Sequence, residues 1–314
     1  MCIFFPTFVY MGHQKHLLII AGPTGVGKTA LSVQLARHFQ TEILSADSRQ
    51  LYKEISIGTA KPGEAERQGI KHHFIDHISI EEPYTAADFE REAIQKLQEL
   101  FLNHQLVILC GGTGLYIDAV CKGFDEGLVT DPEVKKDIEK QYEEKGLRWL
   151  QEEVMRLDPV YFSKADTQNP RRLLRALEVI TLTGCPYSDF RKNAGAQRDF
   201  STIKILINED RSVLYERINK RVDEMMEKGL LEEARKVYPR KTLNALNTVG
   251  YKELFDYFDN RTNMEEAVDL IKQHTRNYAK RQLTWFRKDL DYADFFPSDL
   301  EKIKAYTELI LKHS

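Results

Sequence analysis

The run Gly22-Pro23-Thr24-Gly25-Val26-Gly27-Lys28-Thr29 has the spacing G-x-x-x-x-G-K-[ST] and follows a short apolar stretch, residues 17–21. Glycines at these positions let successive backbone N–H groups turn inward around an anion, and a following helix adds its positive N-terminus. Lys28 supplies a point charge, and the Thr29 hydroxyl is of a kind that ligates Mg2+ beside a bound phosphate. The chemistry predicted is a grip on a di- or triphosphate. The plain alternative is a glycine-rich strand-to-helix turn that holds no ligand.

An ordinary nucleoside triphosphatase of this type carries an acid at the end of a later strand, where it holds magnesium. Here the apolar run 106–110 passes instead into Gly111-Gly112-Thr113-Gly114-Leu115-Tyr116. The nearest acid after a strand is Asp47, in Ser45-Ala46-Asp47-Ser48-Arg49-Gln50. Two further groups of residues suit polyanions. In Gln168-Asn169-Pro170-Arg171-Arg172, Asn169 reads as a helix N-cap and Pro170 as the first helical residue. Two arginines in a first turn oppose the helix dipole, a cost that is understood if they face phosphate. Residues 272–288 hold six Lys or Arg and no acid, with Lys272, Arg276, Lys280 and Arg287 close to one helical face. Tyr278, Trp285 and Phe286 lie among these charges, where they either stack on bases or, as such residues more often do, enter the core. A solvated basic face is the alternative.

These residues need a frame. Runs 17–21, 41–45, 73–78 and 106–110 read as strands, and residues 29–39 and 86–102 as helices, the second capped by Thr85 with Ala93, Leu97, Leu100 and Phe101 facing inward. Strands alternating with helices predict an α/β fold, a P-loop core whose parallel sheet is flanked by helices. Between residues 124 and 196 no strand is evident and charged helical stretches dominate (133–149 and 171–182). A strand resumes at 202–207, and from 211 onward the chain reads as mostly helical, with turns near Gly229, Pro239 and Gly250. The expected division is a core of residues 12–123 and 197–314 with an all-helical insertion at 124–196. Residues 1–11 read as an upstream start or an extension without fixed structure.

The chain has 314 residues and a formal net charge of −3, so a nucleic-acid partner must be met by a local basic surface and not by bulk charge. Its four cysteines are scattered without a CxxC pair, which argues against a zinc site or disulfide framework and for the reducing cytoplasm. No stretch has membrane-spanning length.

Taken together, Gly22 to Thr29, Ala46-Asp47-Ser48-Arg49-Gln50-Leu51-Tyr52, Ile57-Gly58-Thr59-Ala60-Lys61-Pro62, Gly111 to Tyr116, Gln168 to Arg172, Gly250-Tyr251-Lys252-Glu253-Leu254 and Ala279-Lys280-Arg281-Gln282-Leu283-Thr284-Trp285-Phe286 occur in an order and spacing that resembles the tRNA dimethylallyltransferase (isopentenyl-tRNA transferase) family. The resemblance covers nearly the whole chain after Met11. Cys185, where relatives often have a basic residue, and the apolar N-terminal extension depart from it.

The resemblance implies transfer of a dimethylallyl group from dimethylallyl diphosphate to N6 of the adenosine at position 37 of tRNA, by a monomer that uses Mg2+. It implies Asp47 as the general base, and Thr113 as a hydrogen-bonding group near the breaking C–O bond or the incoming amine. It implies residues 22–29 and Arg221 on the diphosphate, and Ser48, Arg49 and Gln50 along the adenine's path. It implies further that the insertion, through Gln168 to Arg172, grips the anticodon stem-loop; Lys280 and Arg281 belong to the basic stretch facing the same RNA. Two rival readings keep the loop and change its use. One is an adenylate isopentenyltransferase acting on AMP, ADP or ATP; the other is a P-loop NTPase or RNA-binding module without prenyl chemistry, in which ATP occupies the loop.

Overall fold

Three strands whose apolar residues alternate between two cores end level with one another, and that coincidence builds the site. The computed structural model describes residues 14–123, 131–190 and 196–313; the expected extension at 1–11 lies outside them. Six parallel strands, β1 (His16–Ala21), β2 (Ile43–Ala46), β3 (His72–His73), β4 (Leu106–Gly111), β5 (Ser201–Ile207) and β6 (Ala293–Phe295), form one sheet in the order β3-β2-β4-β1-β5-β6. Along β1, Leu17 and Ile19 enter one core while Leu18 and Ile20 enter the other, and all four are 0% exposed. Period-two alternation between two buried faces is why such a strand reads as a continuous apolar run.

The compact unit made of residues up to Cys121 and from Arg198 on carries this sheet. Its helices are α1 (Lys28–Phe39), α2 (Glu64–Arg67), α3 (Ala86–Phe101) and α4 (Gly114–Lys122), the last running to the unit's edge. A second compact unit spans Lys122–Gln197 and holds α5 (Pro132–Leu157), α6 (Pro159–Phe162), α7 (Pro170–Thr183) and α8 (Tyr187–Phe190). The first unit resumes with α9 (Arg211–Glu227), α10 (Leu230–Val237), α11 (Tyr251–Phe258), α12 (Met264–Phe286) and α13 (Leu300–Lys312). Thr85 caps α3 as its type predicts, with a reciprocal bond between Thr85 and Asp88. The buried face of α3 is Phe89, Ala93, Leu97 and Phe101, four residues apart.

In the second unit Ile138, Leu150, Val154, Tyr161, Leu173, Ala176 and Leu177 form a separate core. The buried Asp158 carboxylate ties its helices, accepting the N–H groups of Tyr161 (2.8 Å) and Ser188 (2.6 Å) and the Ser188 hydroxyl (2.9 Å). Among the described residues this unit has no strand, and no helix there or in the first unit is long and apolar enough to cross a membrane.

Three expectations need correction. The strand expected at 73–78 is only His72–His73, because Phe74 (φ 63°) and Asp76 (φ 54°) take left-handed backbone that a strand does not allow. The helix expected to close at 149 continues to Leu157 through a break at Gly146, where φ is 77° and ψ −177°. Three-residue β6 was not foreseen at all; it exists by pairing with β5, Ile205 opposite Ala293.

Candidate active site

The sheet register sets Ala21, Gly111 and Ala46 side by side, so the loops after β1, β4 and β2 leave the sheet at one level. From β1 the chain crosses the sheet toward β2, and from the neighbouring β4 it crosses the other way to β5, so β1 and β4 form a switch point, where ligands of open parallel sheets bind. The three motifs picked out in the sequence occupy those three loops.

The first loop wraps toward α1, and Gly27 at its end has φ 100°, a conformation that a side chain would strain. Lys28 folds back to donate to the carbonyls of Gly22 (2.9 Å) and Pro23 (2.8 Å). Burial pushes its pKa down to about 8; Cys110 and Asp47 pull it up and Arg221 presses it further down. Asp47, Lys28 and Arg221 are therefore within electrostatic reach of one another. Burial also lowers the pKa of Arg221, with Asp47 the first charge opposing the shift. α9 brings Arg221 here by packing on the loop: a Cβ on Gly25 would stand 3.0 Å from Ile218, one turn before Arg221.

The β2 and β4 loops are sewn together. Thr113 N–H donates to the Ala46 carbonyl (3.1 Å), and Ser48 N–H donates to Thr113 Oγ1 (3.0 Å). Asp47 Oδ1 accepts the N–H groups of Arg49 (2.9 Å) and Gln50 (3.3 Å), which fixes its carboxylate at the mouth of the loop. Arg49 turns away and donates to the carbonyls of Asn244 (3.0 Å) and Ala245 (3.1 Å). Gln50 donates to the carbonyls of Thr59 and Ala60, both at 3.3 Å, and Arg221 donates to the same Ala60 carbonyl at 3.3 Å.

α12 supplies what sequence reading missed. Tyr278, Gln282 and Trp285 share one helical face, and each meets one residue of Gly112-Thr113-Gly114. Gln282, only 6% exposed, accepts Thr24 N–H (2.9 Å) and donates to the Gly112 carbonyl (2.9 Å), bridging the phosphate loop to the β4 loop. A Cβ on Gly112 would lie 2.2 Å from the Gln282 amide, and one on Gly114 2.3 Å from the Trp285 ring. These glycines thus make room for α12. Trp285 donates to Asp118 (2.9 Å) and Phe286 is buried, so both serve packing. Tyr278 keeps 36% of its surface exposed, but its hydroxyl faces inward to Thr113; burial and then the charge of Asp47 push its pKa up to about 12. The only forewarning was the position of these residues in and beside the motif from Ala279 to Phe286.

The basic face expected on α12 divides. Lys272 pairs with Asp223 (2.6 Å) and Arg276 donates to Asn219 (2.6 Å), so both are taken up by α9. Lys280 and Arg281 are exposed and line a groove of about 350 Å³ with Asn277, Thr284, Trp285 and Lys288. In the second unit Arg171 and Arg172 stand exposed in the first turn of α7, after Asn169 as N-cap and Pro170 as first residue; the Asn169 side chain makes no capping bond. Gln168 is exposed beside them.

For Mg2+, the donors at hand are the Thr29 hydroxyl and, near Lys28, the Asp47 carboxylate. Among the described residues no cluster of three or more His, Cys, Asp or Glu is placed to hold a metal. Magnesium suits such a site, because it takes few protein oxygens and completes its shell with water and substrate phosphate.

A lysine-bearing phosphate loop at the switch point of a parallel sheet, with a carboxylate on a nearby strand end, defines a P-loop protein built for a phosphorylated substrate. Residues 50–289 match the family model described as IPP transferase, and the chain belongs to that family. It is 51% identical over 296 residues to a tRNA dimethylallyltransferase of Christiangramia forsetii, covering 94% of this chain and 98% of the relative. It is 47% identical to another of Flavobacterium johnsoniae, covering 96% and 100%. Among solved structures it is similar to the full-length tRNA isopentenylpyrophosphate transferase of Bacillus halodurans, with TM-score 0.71, 37% identity and coverage of 96% and 98%. It is also similar to a eukaryotic dimethylallyltransferase acting on tRNA, with TM-score 0.78, 27% identity and coverage of 94% of this chain and 78% of that one.

Proposed function

We propose that this protein transfers the dimethylallyl group of dimethylallyl diphosphate to N6 of adenosine 37 in tRNA, releasing pyrophosphate. The observation that carries the reading is the convergence of Lys28, Arg221, Asp47 and Thr113 at the ends of β1, β2 and β4, with two cations in reach of one carboxylate. Membership of a family whose members are named for this transfer supports it.

In the reaction the C1–O bond of the allylic diphosphate breaks and its electron pair leaves with the pyrophosphate. The amides of residues 22–29, Lys28 and Arg221 stabilise that charge as it forms, which is the largest service a site of this kind offers. The Thr29 hydroxyl would help hold Mg2+, which would supply further charge neutralisation. The N6 amine attacks C1, and its proton passes to Asp47, whose carboxylate is anchored by two backbone N–H groups. Thr113, held between Ser48 and Tyr278, offers its hydroxyl to the amine or the departing oxygen. The adenine must leave its stack to reach these groups, with Ser48, Arg49 and Gln50 bordering its path. Gln168 to Arg172 on the helical unit, and Lys280 and Arg281 on α12, contact the anticodon stem-loop.

One chain carries all of these residues, which supports a monomer as the acting species. The thiols of Cys110 and Cys185 are not in disulfides, which suits the reducing cytoplasm where tRNA is found.

Incubation with Mg2+, radiolabelled dimethylallyl diphosphate and total tRNA, followed by nucleoside analysis, tests the reading. Label is expected in one prenylated adenosine, at position 37. Label in free AMP or ADP, or RNA-stimulated ATP hydrolysis without label in tRNA, would overturn it.

A further inference from the structure

The motif Ile57 to Pro62 carries none of the chemistry above, yet its Ala60 carbonyl accepts a hydrogen bond from Arg221 and another from Gln50. What fixes that carbonyl lies behind it. The loop from Ser56 to Gly58 turns three successive N–H groups to one side, as an anion-binding nest does. The nest is filled from within the chain. Glu233 on α10 accepts Ser56 N–H and Ile57 N–H at 2.9 Å on Oε2 and Gly58 N–H at 3.0 Å on Oε1. Its fourth donor is the hydroxyl of Tyr251 on α11, at 2.6 Å. Tyr251 is fully buried, and burial together with Glu233 holds its pKa well above the usual phenol range. The Tyr251 ring lies so close to the loop that a Cβ on Gly58 would stand 2.7 Å from it. The loop then closes on itself, Ala60 N–H to Ile57 carbonyl (2.9 Å) and Lys61 N–H to Ser56 carbonyl (3.0 Å), with Ala60 at φ 49°. Ala60 is thus held in left-handed backbone at the end of a turn whose other end is clamped by a carboxylate.

We propose that Glu233, supported by Tyr251, is a positioning residue for the diphosphate site: by clamping residues 56–58 it sets the Ala60 carbonyl that aims Arg221 at the pyrophosphate. The inference rests on the reading of Arg221 given under the proposed function. A carboxylate suits the clamp because it accepts four donors at once and donates none. A glutamine has one acceptor oxygen, so in Glu233→Gln the NH2 must face at least one backbone N–H head-on, and at least one of the three backbone bonds is replaced by a donor–donor clash.

Calorimetric binding of inorganic pyrophosphate to the full chain tests this without requiring prenyl transfer. Glu233→Gln is expected to raise Kd for pyrophosphate about tenfold, the loss typical of a hydrogen bond to a charged group. In steady-state assays KM for dimethylallyl diphosphate should rise more than kcat falls. In an Arg221→Ala background the same change should add nothing, because the guanidinium it aims is gone; a general loosening of the fold would weaken binding in both backgrounds alike. If Glu233→Gln fails to fold, Tyr251→Phe, which removes a single bond, should give a smaller rise in Kd that also vanishes with Arg221→Ala. A folded variant with the parent's pyrophosphate affinity, or effects that multiply with Arg221→Ala, would overturn the proposal. Parent protein that binds pyrophosphate but transfers no prenyl group would sink the functional reading and leave this inference standing. Parent protein that does not bind pyrophosphate would sink both.

Discussion

Burial lowers the Lys28 pKa to about 8, and that has a consequence for binding. At pH 8 about half of the free protein holds a neutral amine, by the definition of a pKa. A diphosphate in the loop restores the opposite charge that burial withholds, so the pKa rises on binding and the protein takes up a proton. The sign follows: pyrophosphate affinity gains as pH falls through 8, because the charged form that binds is then already present. Calorimetry at pH 8 in buffers of different ionisation heat should show uptake of a fraction of a proton, and Lys28→Ala should abolish it. Uptake that survives in Lys28→Ala would assign the shift to another group. Asp47 and Arg221 both act on this lysine, so the three charges form one coupled set and not three independent features.

Elements fail or succeed in bringing such residues together, and the clearest case is α12. The phosphate loop is legible in eight consecutive residues because its chemistry lies in local backbone turns and one lysine. Asp47 and Thr113 are legible as loop residues after strands, since apolar runs ending in glycine or polar clusters announce strand ends. Gln282 is not legible, because its meaning depends on meeting Thr24, 258 positions away, and Gly112, 170 away. The same holds for Glu233, 175 positions from Gly58. Helical periodicity showed that residues 272–288 have a basic face, but only packing against α9 decides that Lys272 and Arg276 face inward and Lys280 and Arg281 do not. Likewise a strand of three residues such as β6 has no periodicity to read. The Gln282 bridge makes a prediction at this scale. Gln282→Leu keeps the volume and leaves the Thr24 N–H and Gly112 carbonyl without their partner. The unfolding free energy should fall by about 2–4 kcal/mol, the cost of two unpaired backbone groups after partial rehydration. Urea unfolding measures it, and a stability equal to the parent's would show that the two loops hold together without α12.

The whole molecule joins a catalytic unit of mixed charge to a helical unit with its own core, under a net charge of −3. A repulsive net charge gives no general attraction to RNA, so affinity must come from placed cations released from other duties. Several basic side chains are not so released: Lys272, Lys204, Lys241 and Arg198 all sit in ion pairs. Arg171 and Arg172 differ, being exposed in the first turn of α7, where the helix's own positive end disfavours them. A free protein gains nothing from that placement, whereas a phosphate at the same helix end would meet the dipole and both guanidinium groups together. Replacing both by alanine should therefore leave stability unchanged or slightly improved while weakening tRNA binding. Every phosphate that goes unneutralised takes about 0.7–0.9 from the slope of log affinity against log salt, so the double variant should flatten that slope by roughly 1.4–1.8. Filter binding of an anticodon stem-loop from 50 to 200 mM salt, roughly the range over which counterion release dominates, reads both effects. Parent affinity and parent slope in the double variant would mean that the helical unit meets the RNA elsewhere, and the unfavourable arginines at the head of α7 would need another anion to explain them.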